Sequence, residues 1–294
     1  MTFRPRRSAL YMPASNARAL EKARGLDADV LIFDLEDAVA AEAKPLARQQ
    51  ACAAVRAGGY AGREVVIRVN APGTPWGHED MAAAAAAGPD AILIPKAASP
   101  GEIMMAAKML RDAGAPGRTR LWAMIETPIA ILNIDSIART CADPASRLDV
   151  FVVGANDLAK ETRARLVPGR APMLAWLSQC IAAARAHGVE VLDGVHNDIA
   201  DLDGFRAECT QGRDFGMDGK TLVHPSQIAI CNAVFGPDAE ELASAHAILT
   251  AFALPENARK GAILLGGRMV ELLHADMARR TAAIGAAVAA RAIL

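Results

Sequence analysis

The amino-acid sequence predicts a (β/α)8 TIM barrel followed by a C-terminal helical lid extension. Three observations lead there. Eight short β-type runs alternate with longer helical patterns, which implies parallel strand pairing because each crossover needs a helix. Past the last seven runs, the first charged residues at the strand ends are Asp34, Arg68, Lys96, Glu126, Asp157, Asp193 and Lys220, roughly 27 to 36 residues apart, the length of one βα unit each. Helix-start signals also stand directly behind strands.

The first run is SALYM, followed by the amphipathic NARALEKAR. DVLIF comes next, buried in character, and runs straight into Asp34, Glu36 and Asp37, three carboxylates within four positions. EVVIRV is the third strand, and the alanine-rich MAAAAAAG behind it reads as helix ended by Gly88. After AILIP, Ser99-Pro100-Gly101-Glu102 has capping-box spacing with proline at the first helical position. LWAMIE is followed at once by Thr127-Pro128, a cap and a helix start. DVFVVG is the sixth strand, and the later helix APMLAWLSQCIAAARAHG ends on His187 and Gly188. VEVLDG and the weaker GKTLVHP complete eight. Eight units make a barrel of about 250 residues whose active site collects at the C-terminal strand ends. Residues 1–236 are therefore assigned to the barrel. Residues 237–294, with DAEELASAHAILTAF, the glycine-interrupted GAILLGGRMVE and a terminal helix, are assigned to the extension.

A doubly wound sheet would carry a glycine-rich first turn, and MPASNA has no glycine. GMDGKT is no P-loop, because Asp214 stands where the first glycine belongs. A net charge of −1 leaves no basic excess for a phosphate backbone, so nucleic acid is not an expected partner. The N-terminal stretch has no apolar core of signal-peptide length, and no window approaches a membrane span. Five scattered cysteines without a C-x-x-C pair read as reduced thiols. A protein of the cytoplasm, with no membrane partner, is the expectation.

The candidate site lies among the strand-end polar residues. Glu126 and Asp157 follow consecutive strands, close enough to share one hard cation; Mg2+ is served by one or two carboxylates plus water and substrate oxygens. The alternative is that each acid merely caps the following helix. Arg68, ending an apolar strand, suits a substrate carboxylate or thioester oxygen, or an ion pair with Glu36 or Asp37. Lys96 and Lys220 add positive charge at the rim. Together with Arg68 and a divalent ion they offset the five carboxylates, which bare could not all stay ionised in one cleft. His224, in HPSQ, reads as a cap rather than a catalytic group, and no G-x-S-x-G occurs.

The motifs RSALYMPASN, DLEDAV followed by Lys44, VIRVN, ILIPK, IETP, GANDLA, GKTLVHPSQI and GGRMVE, in this order and spacing, resemble the citrate lyase β-subunit-like branch of the HpcH/HpaI aldolase superfamily, which includes malyl-CoA and citramalyl-CoA lyases. The resemblance covers nearly the whole chain. It implies Mg2+, with Mn2+ as the alternative ion, bound by Glu126 and Asp157, and Glu36 and Asp37 near the metal through water. Arg68 and Lys220 are expected to bind substrate. It further implies a CoA-thioester substrate and a homotrimer or hexamer, with the C-terminal lid of one subunit closing over its neighbour. In the lyases a G-x-M-hydrophobic-Asp motif on that lid supplies a catalytic aspartate. Here Glu271 stands in its place, a longer acid like that of a subgroup which includes malyl-CoA thioesterases. The leading expectation is reversible Claisen-type cleavage of a 3-hydroxydicarboxyl-CoA (malyl-, methylmalyl- or citramalyl-CoA), with Arg68 and Glu271 catalytic. Thioester hydrolysis at the same site is the alternative. A CoA-independent aldolase and a binding or regulatory subunit with a degraded site are the remaining readings.

Overall fold

The computed structural model describes residues 4–60 and 62–291. Arg6–Asn232 form one compact unit, and the chain from Ala233 onward belongs to a second.

The first unit is a closed parallel barrel of eight strands in sequential order. These are β1 (Ser8–Pro13), β2 (Val30–Asp34), β3 (Glu64–Arg68), β4 (Ala91–Ile94), β5 (Arg120–Ile125), β6 (Leu148–Val153), β7 (Glu190–Asp193) and β8 (Gly219–Leu222). Pairing of Ser8 with Lys220 and Leu10 with Leu222 closes the ring. Between the strands run α1 (Ala17–Ala23), α2 (Lys44–Ala57), α3 (Gly77–Ala87), α4 (Pro100–Asp112), α5 (Pro128–Leu132), α6 (Ile134–Arg139), α7 (Ala155–Thr162), α8 (Leu174–His187) and α9 (Leu202–Phe215). Helix α10 (Ile228–Phe235) follows β8. Several predicted signals act as read: Ser99 accepts from Glu102 N, Gly88 and Gly188 end their helices in the left-handed conformation, and His224 caps the turn behind β8.

Alternate residues of successive strands pack into one interior cluster that includes Val30, Ile32, Val66, Leu93, Trp122, Met124, Val152 and Leu192. The intervening residues, such as Leu31, Phe33, Ile67 and Ile92, are equally buried, on the opposite side of the pleat. At the N-terminal strand ends Arg6 closes the bore, hydrogen-bonded to Glu64, Asp149 and Glu190 at 2.6–2.9 Å, with its guanidinium 5.2 Å from the Trp122 ring centre.

The second unit holds α11 (Ala239–Ala253), an antiparallel hairpin of β9 (Ala262–Leu265) and β10 (Arg268–Glu271), and α12 (Leu272–Arg291). Asp238 and Glu241 form a capping box at the start of α11. The two glycines that interrupt GAILLGGRMVE make the hairpin turn: Gly266 and Gly267 have φ of 55° and 77°, the left-handed pair that matches the twist of the flanking strands. Among the described residues, no helix is long and apolar enough to cross a membrane.

Candidate active site

What faces the three carboxylates after β2 is Arg68. Asp34 and Arg68 are register partners on β2 and β3, and both continue the inward phase of their strands. The Asp34 carboxylate takes Arg68 Nε and Nη2 at 2.7 Å each, a bidentate pair, and also accepts the backbone N–H groups of Glu36 and Ala38. Asp34 thus folds its own loop and orients the arginine. Nη1 is turned toward Glu36 Oε2 at 2.8 Å and Asp37 Oδ2 at 3.4 Å. The guanidinium also lies 4.7 Å from the Tyr11 ring centre. From behind, buried Lys44 binds the carbonyls of Leu35 and Glu36 and the side chain of Asn70 at 2.8–3.0 Å, which fixes the loop carrying Glu36 and Asp37. Lys44 is visible in the sequence, but its clamp is not, because both carbonyls come from main chain.

Glu126 and Asp157 are brought together. Glu126 follows β5 and is 1% exposed, and its Oε1 accepts the backbone N–H of Lys96 at 2.8 Å. Lys96 has φ of 53°, a left-handed conformation that costs a side-chain-bearing residue roughly 1–2 kcal/mol. Its ammonium lies 3.3 Å from Asp157 Oδ1 and 3.9 Å from Glu126 Oε1. One cationic atom therefore stands within reach of both acids. Neither acid is the N-cap of the helix behind it: Thr127 caps α5, and the cap position of α7 is Gly154. Gly154 also gives Glu126 its room, since a Cβ there would lie 2.4 Å from Glu126 Cβ and 2.6 Å from its Oε2. Asn156, beside Asp157, exchanges two amide hydrogen bonds with Asn197 of the loop after β7, at 2.8 and 3.1 Å. That pairing carried no sequence signal.

Asp34, Asp37, Arg68, Glu126 and Asp157 line one cavity of about 290 Å³, with Tyr11, Met124 and Thr221 on its wall. The Tyr11 hydroxyl is buried and accepts or donates no hydrogen bond among the described residues. Among the described residues, Asp34, Glu36, Asp37, Glu126 and Asp157 have only Arg68 and Lys96 as ion-pair partners, so full ionisation would leave three more carboxylates than cations. Titration reflects the crowding. Burial pushes the Glu36 carboxyl up to about 8, Arg68 opposing and Asp37, Glu126 and Asp34 adding to it. Burial likewise raises Glu126 to about 7, Lys96 opposing and Asp157 adding. Glu36 Oε2, despite its ion-pair contact, receives no hydrogen bond. Such a site fits a hard divalent cation held by two carboxylates, with water and substrate oxygens completing its shell. Among the described residues no group of three or more His, Cys, Asp or Glu side chains is arranged to enclose a metal.

Lys220 departs from the rim position expected of it. It is 0% exposed within β8, with Nζ 3.0 Å from Asp193 Oδ2 and 2.5 Å from Glu208 Oε1 on α9, and Arg170 Nη1 grips the same Asp193. Thr221 lines the cavity, so the pleat turns its neighbour Lys220 outward, toward the helix layer. Asp193 shares that outward phase, because Leu192 belongs to the interior cluster. The cation expected to bind substrate is thus committed to a buried ion cluster. Glu271 ends β10 in the second unit, where its N–H donates to His274 Nδ1 at 3.0 Å.

Residues 7–225 match the HpcH/HpaI aldolase/citrate lyase family. The chain is 46% identical to the (3S)-malyl-CoA thioesterase of Cereibacter sphaeroides over 286 residues, covering 97% of this chain and 96% of that one. To the citrate lyase subunit beta of Escherichia coli it is 32% identical, over 94% and 92% of the two chains. The crystal structure of CitE from Mycobacterium tuberculosis in complex with magnesium, acetoacetate and coenzyme A superposes with a TM-score of 0.73 at 31% identity, covering 94% and 97%.

Proposed function

The chain belongs to the HpcH/HpaI aldolase/citrate lyase family, and from that premise we propose a Mg2+-dependent enzyme that hydrolyses a malyl-CoA-type thioester. The observation that carries the metal reading is the convergence of Glu126 and Asp157 on one cationic atom beside Arg68. Hydrolysis is placed ahead of the carbon–carbon cleavage expected from the motifs because of the 46% identity, over nearly the full length, to a (3S)-malyl-CoA thioesterase. Cleavage remains the second reading, supported by the 32% identity to citrate lyase subunit beta.

Glu126 and Asp157 hold the ion, Mg2+ or Mn2+, which when bound supplies charge neutralisation and Lewis-acid polarisation. Arg68, fixed by Asp34, presents Nη1 to the thioester oxygen, where negative charge develops as water adds to the carbonyl carbon. Glu271 accepts the proton of that water. The tetrahedral adduct collapses with cleavage of the C–S bond, Glu271 returns the proton to the departing thiolate, and malate and CoA leave. In cleavage the same arginine stabilises the thioester enolate and Glu271 exchanges the α-carbon proton, yielding an acyl-CoA and an α-keto acid. Glu36 and Asp37, flanking Arg68, take part through water.

The lid reading extends to the second unit: its hairpin and α12 cover the site of a neighbouring subunit in a homotrimer or hexamer. Exposed apolar side chains there, Leu264, Met269, Leu272, Leu273 and Met277, support burial against another chain. Five free thiols are in keeping with a reducing cytoplasm. The test is to incubate malyl-CoA with the protein and Mg2+. Free malate with CoA supports hydrolysis, and glyoxylate with acetyl-CoA moves the assignment to cleavage. No turnover of any CoA thioester rejects both, and turnover of small hydroxy acids alone reassigns the chain as a CoA-independent aldolase.

A further inference from the structure

We infer that Lys96 is a built-in counter-ion standing in the place of the divalent cation between Glu126 and Asp157, and that the cation binds by displacing its ammonium. The inference rests on the reading that these two carboxylates are the metal ligands.

Three observations carry it. First, Nζ lies 3.3 Å from one carboxylate and 3.9 Å from the other, so a single positive atom serves one acid directly behind β5 and another in the first turn of α7. Second, main chain and side chain of this one residue address the same carboxylate. The left-handed backbone aims the Lys96 N–H at Glu126 Oε1, and the ammonium reaches around to the same oxygen. Third, the Lys96 side chain is 41% exposed, so the ammonium has solvent to move into. The two buried lysines are built differently. Lys44 and Lys220 hold their acceptors at 3.0 Å or less and have nowhere to go.

Ammonium and divalent ion cannot both contact these oxygens, because the same lone pairs would serve two cations that repel each other. Metal binding is therefore an exchange. In the metal-free protein Lys96 bridges the two acids, and on binding it withdraws to the solvent side while its N–H continues to hold Glu126. This makes Lys96 a positioning residue whose ammonium competes with the metal. Removing the ammonium takes stabilisation from the metal-free state and repulsion from the bound state, and both effects tighten binding. A purely structural lysine predicts the opposite sign.

The experiment is calorimetric titration of MgCl2 into full-length, metal-stripped protein at alkaline pH. Lys96→Gly retains the N–H and suits the left-handed backbone, so it isolates the ammonium. Lys96→Met is read in the same way if the glycine variant does not fold. Magnesium binding is expected to tighten by about two- to fivefold, the size of a partly exposed ion pair. Unchanged or weaker binding overturns the inference, provided wild type binds Mg2+ and Glu126→Gln abolishes that binding. If wild type binds none, or Glu126→Gln binds as well as wild type, the metal-ligand reading fails and takes this inference with it.

Discussion

Replacing Gly154 by alanine tests whether the position of Glu126 controls the chemistry. The added methyl carbon would lie 2.4 Å from Glu126 Cβ and 2.6 Å from Oε2. Carbon–carbon contact becomes comfortable at about 3.5 Å, so the glutamate stem must retreat by about 1 Å. The backbone itself permits the change, since φ at Gly154 is −98°. Overpacking of this kind costs about 1–3 kcal/mol, which a folded chain of this size tolerates. The functional cost is larger: a reacting group misplaced by about 1 Å loses roughly a hundredfold in rate, and the carboxylate moves off the atom it shares with Asp157. The expected result is a folded variant by circular dichroism, with magnesium affinity reduced at least tenfold by calorimetry and thioester turnover reduced about a hundredfold. Affinity and turnover within about twofold of wild type would refute the proposed role of Glu126.

Other outcomes follow from the same contacts. Because Glu126 is held up to about 7 and must be ionised to ligate, magnesium affinity is expected to fall about tenfold per pH unit below that value, measured as Kd against pH. Glu36 is raised to about 8, so its folded form binds the extra proton and ionisation costs stability as pH rises from about 4.5 to 8. Glu36→Gln should accordingly raise the Tm of the metal-free protein at neutral pH, and a lower Tm would contradict the cost assigned to burying this carboxyl among other acids. Lys220→Met strips a cation from buried Asp193 and Glu208 and should cost about 3 kcal/mol in denaturant titration, while KM of the folded fraction stays unchanged. A raised KM with full stability would return Lys220 to the substrate. Glu64→Gln leaves Arg6 short of its most buried partner and should also lower stability by about 3 kcal/mol with no change in kcat.

Local chemistry decided much that the sequence alone makes legible. Aliphatic runs such as DVLIF, EVVIRV and LWAMIE, short and bounded by turn signals, are strands here as their composition predicts, and caps such as Ser99 and Thr127 announce helices within a few residues. Their spacing implied eight units, and eight parallel strands close as a barrel. The appearance of Arg68 and Glu126 at strand ends, and of Asp157 in the first turn of the helix behind β6, was legible for the same reason.

Which way each strand-end residue faces was decided only in three dimensions. A barrel strand is buried on both faces, so it lacks the polar–apolar alternation that tells inside from outside in a half-exposed sheet. Asp34, Arg68 and Glu126 share the inward phase, whereas Asp193 and Lys220 fall on the outward phase and neutralise each other beneath α9. The Lys96 backbone, left-handed without glycine, and the room that Gly154 leaves for Glu126 likewise come from chain segments meeting across strands. Residue order along the chain determined which groups the site has, and strand phase and closure determined which of them meet.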